Sequence, residues 1–139
     1  MRIGYCYANR KNIGDHLSYL GIRGLLGLQG EEIFFDTPYM LLATSQRKVE
    51  RSDVLIIGGG GLFHAYFRQS WERILESGKP YVLFGIGNCE VKEQDTVLPM
   101  GLRKQIVERA AIVSFRDERS AEPFRSMPHV RVAPCPSIN

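Results

Sequence analysis

Apolar and polar positions alternate along this chain in blocks that read as strands and helices in turn. Arg2 to Ala8 is a first apolar strand, and a polar loop, Asn9 to Gly14, follows it. Leu17, Leu20, Gly21, Gly24, Leu25 and Leu28 then recur at helical spacing and predict a helix over about 15–28 with these residues on its buried face. Gly27 and Gly30 suit its end. Ile33 to Phe35 is a second strand, stopped by Asp36-Thr37-Pro38, and a helix through Met40 reaches towards Val49. Val54 to Ile57 runs straight into Gly58, Gly59, Gly60 and Gly61. A helix from about Leu62 to Ser77 then places Tyr66, Phe67, Trp71, Ile74 and Leu75 in the core. Tyr81 to Phe84 is a fourth strand ending at Gly85-Ile86-Gly87. A polar loop over 89–97 precedes a helix that starts at Pro99. Ala111 to Phe115, a short helix to Phe124, and Val130 to Val132 complete the pattern.

Short apolar runs bounded by glycine read as strands buried on both faces. Strands separated by helices, with no hairpin signal, predict an α/β fold: a doubly wound, mainly parallel, Rossmann-like sheet with helices on both faces. In such sheets ligands bind outside the carboxyl ends of the strands. Two glycine turns at one edge therefore predict a crevice there, with Gly58, Gly59, Gly60, Gly61, Gly85 and Gly87 contacting what it holds. A helix starting just behind the glycine run would offer free N–H groups to an anion.

Composition narrows the class. The 139 residues suit one domain, 1–139, and 44% are hydrophobic, ordinary for a globular protein. A formal charge of +3 is too mild to argue for nucleic acid. No apolar run is long enough for a transmembrane segment, and the chain opens as a strand rather than as a signal peptide. Cys6, Cys89 and Cys135 lack any CxxC spacing, and His16, His64 and His129 form no metal motif; free thiols in a reducing compartment and no metal are expected. Neither glycine run completes a dinucleotide fingerprint, and there is no phosphate-binding GxxxxGK[ST] loop.

Four polar positions fall at strand ends. Asn12 and Gly14 lead to Asp15, which reads either as a helix-stabilising acid or as a base and sugar ligand in the crevice. His64, three residues past the glycine run, reads as an acid–base group in the first helical turn or as a surface side chain. Arg116 matches phosphate or carboxylate, and Asp117 either joins it or caps the next helix.

Taken in order, Asn12-x-Gly14-Asp15, Ser52-Asp53-Val54-Leu55-Ile56-Ile57 with the four glycines, Gly78-Lys79-Pro80, Gly85-Ile86-Gly87, Val113-Ser114-Phe115-Arg116-Asp117-Glu118-Arg119-Ser120 and Pro134-x-Pro136-Ser137 resemble the polysaccharide pyruvyl transferase family. The resemblance spans nearly the whole chain and implies one half of a glycosyltransferase-B-like arrangement, the N-terminal half of a two-domain enzyme. It implies phosphoenolpyruvate as donor, no cofactor, and a sugar or lipid-linked oligosaccharide of a cell-surface or exopolysaccharide precursor as acceptor. It further implies a missing C-terminal domain as partner and a cytoplasmic protein working at the inner face of the membrane; a homo-oligomer is a further expectation. Cys135 stands where the family has the acid of an Asp-Pro pair. The alternatives are a half-domain that uses a nucleotide sugar and a non-catalytic binding module.

Overall fold

The computed structural model describes residues 1–88 and 97–134. Its elements are β1 (Ile3–Tyr7), α1 (Ile13–Leu26), β2 (Glu31–Phe34), α2 (Thr37–Met40), α3 (Ala43–Arg51), β3 (Val54–Gly60), α4 (Arg68–Ser77), β4 (Tyr81–Ile86), α5 (Met100–Arg109), β5 (Val113–Phe115), α6 (Glu118–Ala121) and β6 (Val130–Val132). The six strands form one sheet in the order β2-β1-β3-β4-β5-β6, and every pairing is parallel. This is the Rossmann-like, doubly wound α/β architecture that the alternation of elements predicts. No helix among the described residues is long and apolar enough to cross a membrane.

Strand order dictates how the helices are shared between faces. From β1 the chain steps to β2 on one side, then returns past β1 and proceeds through β3, β4, β5 and β6 on the other. Parallel crossovers are right-handed, so reversing direction moves the connecting helix to the opposite face. Among the described helices, α1 therefore lies alone on one face, where Tyr19 and Ile22 pack with Ile3, Tyr5, Tyr7 and Ile56. Tyr7 and Tyr19 stack there with ring centroids 4.4 Å apart. The larger core is on the other face, where Val49, Trp71, Ile74, Ile106, Val107 and Phe124 meet Leu55, Ile57, Leu83, Val113 and Phe115. Alternate residues of one strand serve the two cores: Ile56 faces α1, while Leu55 and Ile57 face the others.

Four local expectations change. The buried face of α1 is Ser18, Tyr19 and Ile22, not the leucine stripe: Leu17, Leu20 and Leu25 are about half exposed. The helix carries two apolar stripes, and periodicity alone does not say which one meets the sheet. The segment after β2 is two short helices, α2 and α3, broken at Leu41-Leu42. The glycine run is not a turn beyond β3, because Gly58, Gly59 and Gly60 are its last three residues. No helix starts behind them either. A turn through Leu62 and Phe63 leads to a 3-10 segment, Ala65–Phe67, and α4 begins only at Arg68. Trp71 is fully buried, and its indole Nε1–H donates to the Leu62 carbonyl at 2.8 Å; Tyr66, expected in the core, is exposed. The polar loop over 89–97, apart from Val97, and residues 135–139 with Cys135 and the Pro136-Ser137 part of the closing motif lie outside the described residues.

Glycine at position 58 is required by the neighbouring strand. A Cβ there would sit 2.0 Å from the Phe84 carbonyl oxygen. At Gly101, in the first turn of α5, a Cβ would meet nothing within 4 Å. We expect Gly58→Ala to destabilise the fold by about 3 kcal/mol through overpacking. Gly101→Ala should gain up to about 1 kcal/mol from helix propensity. Urea unfolding of the two variants beside the parent chain checks both signs.

Candidate functional site

The sheet reverses its winding between β1 and β3, and the crevice of an open α/β sheet opens at the carboxyl ends of the strands flanking such a point. The chain supplies polar groups there from both sides. After β1, Asn12 caps α1, its side-chain oxygen accepting the Asp15 amide at 3.3 Å. Asp15 is thus the first-turn acid and Asn12 the cap. Gly14 lies beside that cap, where a Cβ would come 3.5 Å from the Asn12 oxygen. The capped first turn holds the half-buried Asp15 side chain over the end of β3. A Cβ on Gly60 would lie 2.1 Å from Asp15 Oδ1, and Gly60 has φ +99°, where side chains are strained. Gly59 makes the matching room for Ser18 of α1, whose Cβ would be 2.7 Å from one built there. The buried glycines thus seat the helix and its carboxylate against the strand end. Gly61 follows, half-buried, at the start of the turn.

Arg116 approaches from the other side. It follows β5, and its backbone amide donates to the Ile86 carbonyl at 3.0 Å. The side chain crosses Gly87, where a Cβ would lie 2.3 Å from Nε, and Nη2 reaches the Asn88 carbonyl at 3.5 Å. Gly87 is fixed in turn by donating its amide to the Gly60 carbonyl at 3.2 Å. Gly85, with φ +69°, sits where the β4–β5 register shifts between Phe84 and Ile86. Burial pushes the Asp15 carboxyl above its ordinary range, and the positive charge of Arg116 offsets part of that rise. One acid and one cation thus share the end of the sheet, each laid over a glycine that has no room for a side chain.

Asp117 caps the next helix, one of the two roles its position allows. Its Oδ1 accepts the Ser120 amide at 2.7 Å and its Oδ2 the Ser120 hydroxyl at 2.9 Å, so both oxygens cap α6. Arg116 Nε stands 3.9 Å from the same carboxylate. His64 does not occupy a helical first turn as expected. It pairs with Val97 as an antiparallel bridge, and its Nδ1 accepts the Tyr66 amide at 3.0 Å, leaving the imidazole proton on Nε2.

Beside His64 lies a polar cluster that the sequence did not reveal. Asp36, following β2, accepts from Asn9 Nδ2 at 3.1 Å and from the Tyr66 hydroxyl. Thr37 closes the group by donating its hydroxyl to the Tyr66 carbonyl at 2.7 Å. Asn9 follows β1, Asp36 and Thr37 follow β2, and Tyr66 stands in the 3-10 segment after β3, on the side of the sheet end away from Arg116. In the sequence Asn9, Asp36 and Thr37 are marked only by following a strand, and Tyr66 carries no polar signal at all.

A family model for polysaccharide pyruvyl transferase matches residues 12–139. The chain belongs to that family. No curated protein and no solved structure matched the chain. The pyruvyl transferase match opens at Asn12 and takes in Asp15, the glycine run and Arg116, so the whole crevice apart from Asn9 lies within it. A cavity of about 270 Å³ between α3 and α4, lined by Val49, Glu50, Arg73, Ser77 and Lys79, sits at the amino ends of β3 and β4. The carboxyl edge is where parallel sheets present ligands, and it holds the charge pair; the crevice, not this cavity, is the candidate site.

The raised Asp15 carboxyl has a consequence for stability. Folded Asp15 holds its proton to higher pH than the unfolded residue does, so its ionisation opposes folding. That penalty is absent below the unfolded value of about 3.9 and grows as pH rises through the folded one. Asp15→Asn cannot ionise. Its stability relative to the parent chain should therefore improve between about pH 4 and about pH 7, as read by urea unfolding at both values; a difference independent of pH would show that Asp15 titrates normally.

Proposed function

We propose that this crevice serves pyruvyl transfer from phosphoenolpyruvate to a sugar hydroxyl of a cell-surface polysaccharide precursor. The observation that carries this reading is the meeting of Asp15 and Arg116 over Gly60 and Gly87, next to the switch in winding direction. In the reaction the methylene carbon of phosphoenolpyruvate gains a proton and its neighbour becomes cationic. One sugar hydroxyl adds to that centre and phosphate departs. A second hydroxyl closes the ketal, so the two hydroxyl protons end on the new methyl group and on phosphate.

Such chemistry needs a group that exchanges protons near neutral pH and a cation for the donor. A carboxyl raised by burial is suited to exchanging protons, and Asp15 would take the proton of the attacking hydroxyl. Arg116 would pair with the donor's carboxylate or phosphate, its planar fork matching either. Asp36, Tyr66 and the Nε2–H of His64 would present donors and acceptors to the acceptor sugar. Further phosphate contacts would come from a second domain facing the crevice, in the glycosyltransferase-B-like arrangement that the family resemblance suggests. The reading further places the protein in the cytoplasm, at the inner face of the membrane, where lipid-linked precursors are built.

An amide NMR titration tests this. Phosphoenolpyruvate should shift Gly87 and Arg116, and Arg116→Ala should weaken that binding at least about 10-fold, the scale of a lost charge-assisted hydrogen bond. Methyl glycosides should shift Gly60 and Tyr66. Shifts with a nucleotide sugar and none with phosphoenolpyruvate would replace this reading with glycosyl transfer.

A further inference from the structure

Two tyrosine rings stand at the end of the sheet edge away from Arg116. Tyr39 and Tyr66 are 36% and 50% exposed, yet neither ring is loose. Phe34 meets the Tyr39 ring edge to face, with centroids 5.6 Å apart and planes at 67°. Phe67 meets the Tyr66 ring in the same way at 5.2 Å and 81°. Both phenylalanines are themselves packed against the buried cores. The backbone is pinned as well. The Tyr39 amide donates to the Asp36 carbonyl at 2.9 Å, and the Ser45 hydroxyl donates to the Tyr39 carbonyl at 2.7 Å. Between the rings lies Asp36. The Tyr66 phenol is pushed above its ordinary range, chiefly by its hydrogen bond to Asp36 and then by burial, and Tyr39 is close enough to add to the rise. Tyr66 therefore keeps its proton and donates it. Each Asp36 oxygen takes one of these protein donors, Oδ1 from Tyr66 and Oδ2 from Asn9. A carboxylate oxygen has two lone pairs, so each can accept one further hydrogen bond.

Sheet order fixes where this group lies. Asp36 and Tyr39 follow β2, two places along the sheet from β3, whose end carries Gly60 and the Asp15 carboxyl; Arg116 follows β5 on the opposite side. Neighbouring strands are about 4.8 Å apart, so about 10 Å of sheet edge separates Asp15 from the tyrosine group. One sugar ring does not span that distance. A sugar presents an apolar face of C–H groups and a rim of hydroxyls. Tyrosine rings that are already braced meet such a face at little cost in conformational freedom, and a carboxylate with lone pairs to spare meets the rim. We propose that Tyr39, Tyr66 and Asp36 form a second sugar subsite, which holds the residue next to the one that reacts, so that the acceptor is at least a disaccharide. This rests on reading the crevice as the site of pyruvyl transfer, with the reacting hydroxyl beside Asp15 and the donor beside Arg116. The rings read the face of a sugar rather than the pattern of its hydroxyls, so the subsite serves disaccharides of several kinds.

Amide NMR titrations with cellobiose, lactose and chitobiose, each beside the methyl glycoside of its non-reducing sugar, test the subsite. At least one disaccharide should bind about 5-fold or more tightly than its methyl glycoside, the scale of one ring contact. It should also shift the Tyr39 amide, which the methyl glycoside leaves in place. Tyr39→Ala should abolish the advantage of the disaccharide. Tyr39→Phe should keep it, because stacking needs the ring and not the hydroxyl. Phosphoenolpyruvate should shift Gly87 equally in the parent chain and both variants, which shows that the variants keep their fold. The subsite is overturned if no disaccharide binds more tightly than its methyl glycoside in the parent chain, or if Tyr39→Ala keeps the advantage. Disaccharide binding that depends on Tyr39 in a chain that ignores phosphoenolpyruvate would uphold the subsite and strike the pyruvyl transfer reading instead.

Discussion

The close approach of α1 to the end of β3 organises this molecule. A helix can come that near a strand only where the strand has no side chains, and Gly58, Gly59 and Gly60 provide such a stretch. Because the contact falls where the sheet reverses its winding, the first turn of α1 is delivered to the ligand edge. The Asn12 cap then fixes where that turn begins, and so where Asp15 lies. Gly87 repeats the arrangement on the far side of β3, letting the Arg116 side chain lie flat across the sheet end. The glycines act at one remove, by admitting the Asp15 and Arg116 side chains to the strand ends.

That arrangement also sets the electrostatics. A carboxylate held against backbone loses water, and its charged form becomes costlier. A guanidinium brought to the same edge compensates in part without erasing the effect. The result is an acid poised between full exposure and a tight ion pair, a condition associated with proton transfer.

The fold was largely legible in the sequence because each strand is a short apolar run closed by glycine or a polar turn, and only helices separate the runs. Asp15 and Arg116 stood out as polar residues just past strand ends, but their meeting depends on strand order, which joins groups 101 positions apart in the chain. The errors have physical causes. Periodicity points the wrong face of α1 at the sheet because leucines outnumber the Tyr19 and Ile22 anchors, and count outweighs aromatic packing in such a pattern. The apolar pattern starts α4 too early because Leu62 and Phe63 are apolar, although both are buried in a turn. The Asn9–Asp36–Tyr66 cluster escaped notice because its members are 27 and 30 residues apart.

Trp71 is the only tryptophan in the chain, and it is wholly buried with its indole bonded to the carbonyl of Leu62, two residues past the last glycine of β3. The protein therefore contains its own optical probe of that junction. Emission from one indole in one apolar setting is free of interference from other tryptophans, so a change in its colour would register α4 separating from the segment that leaves the crevice.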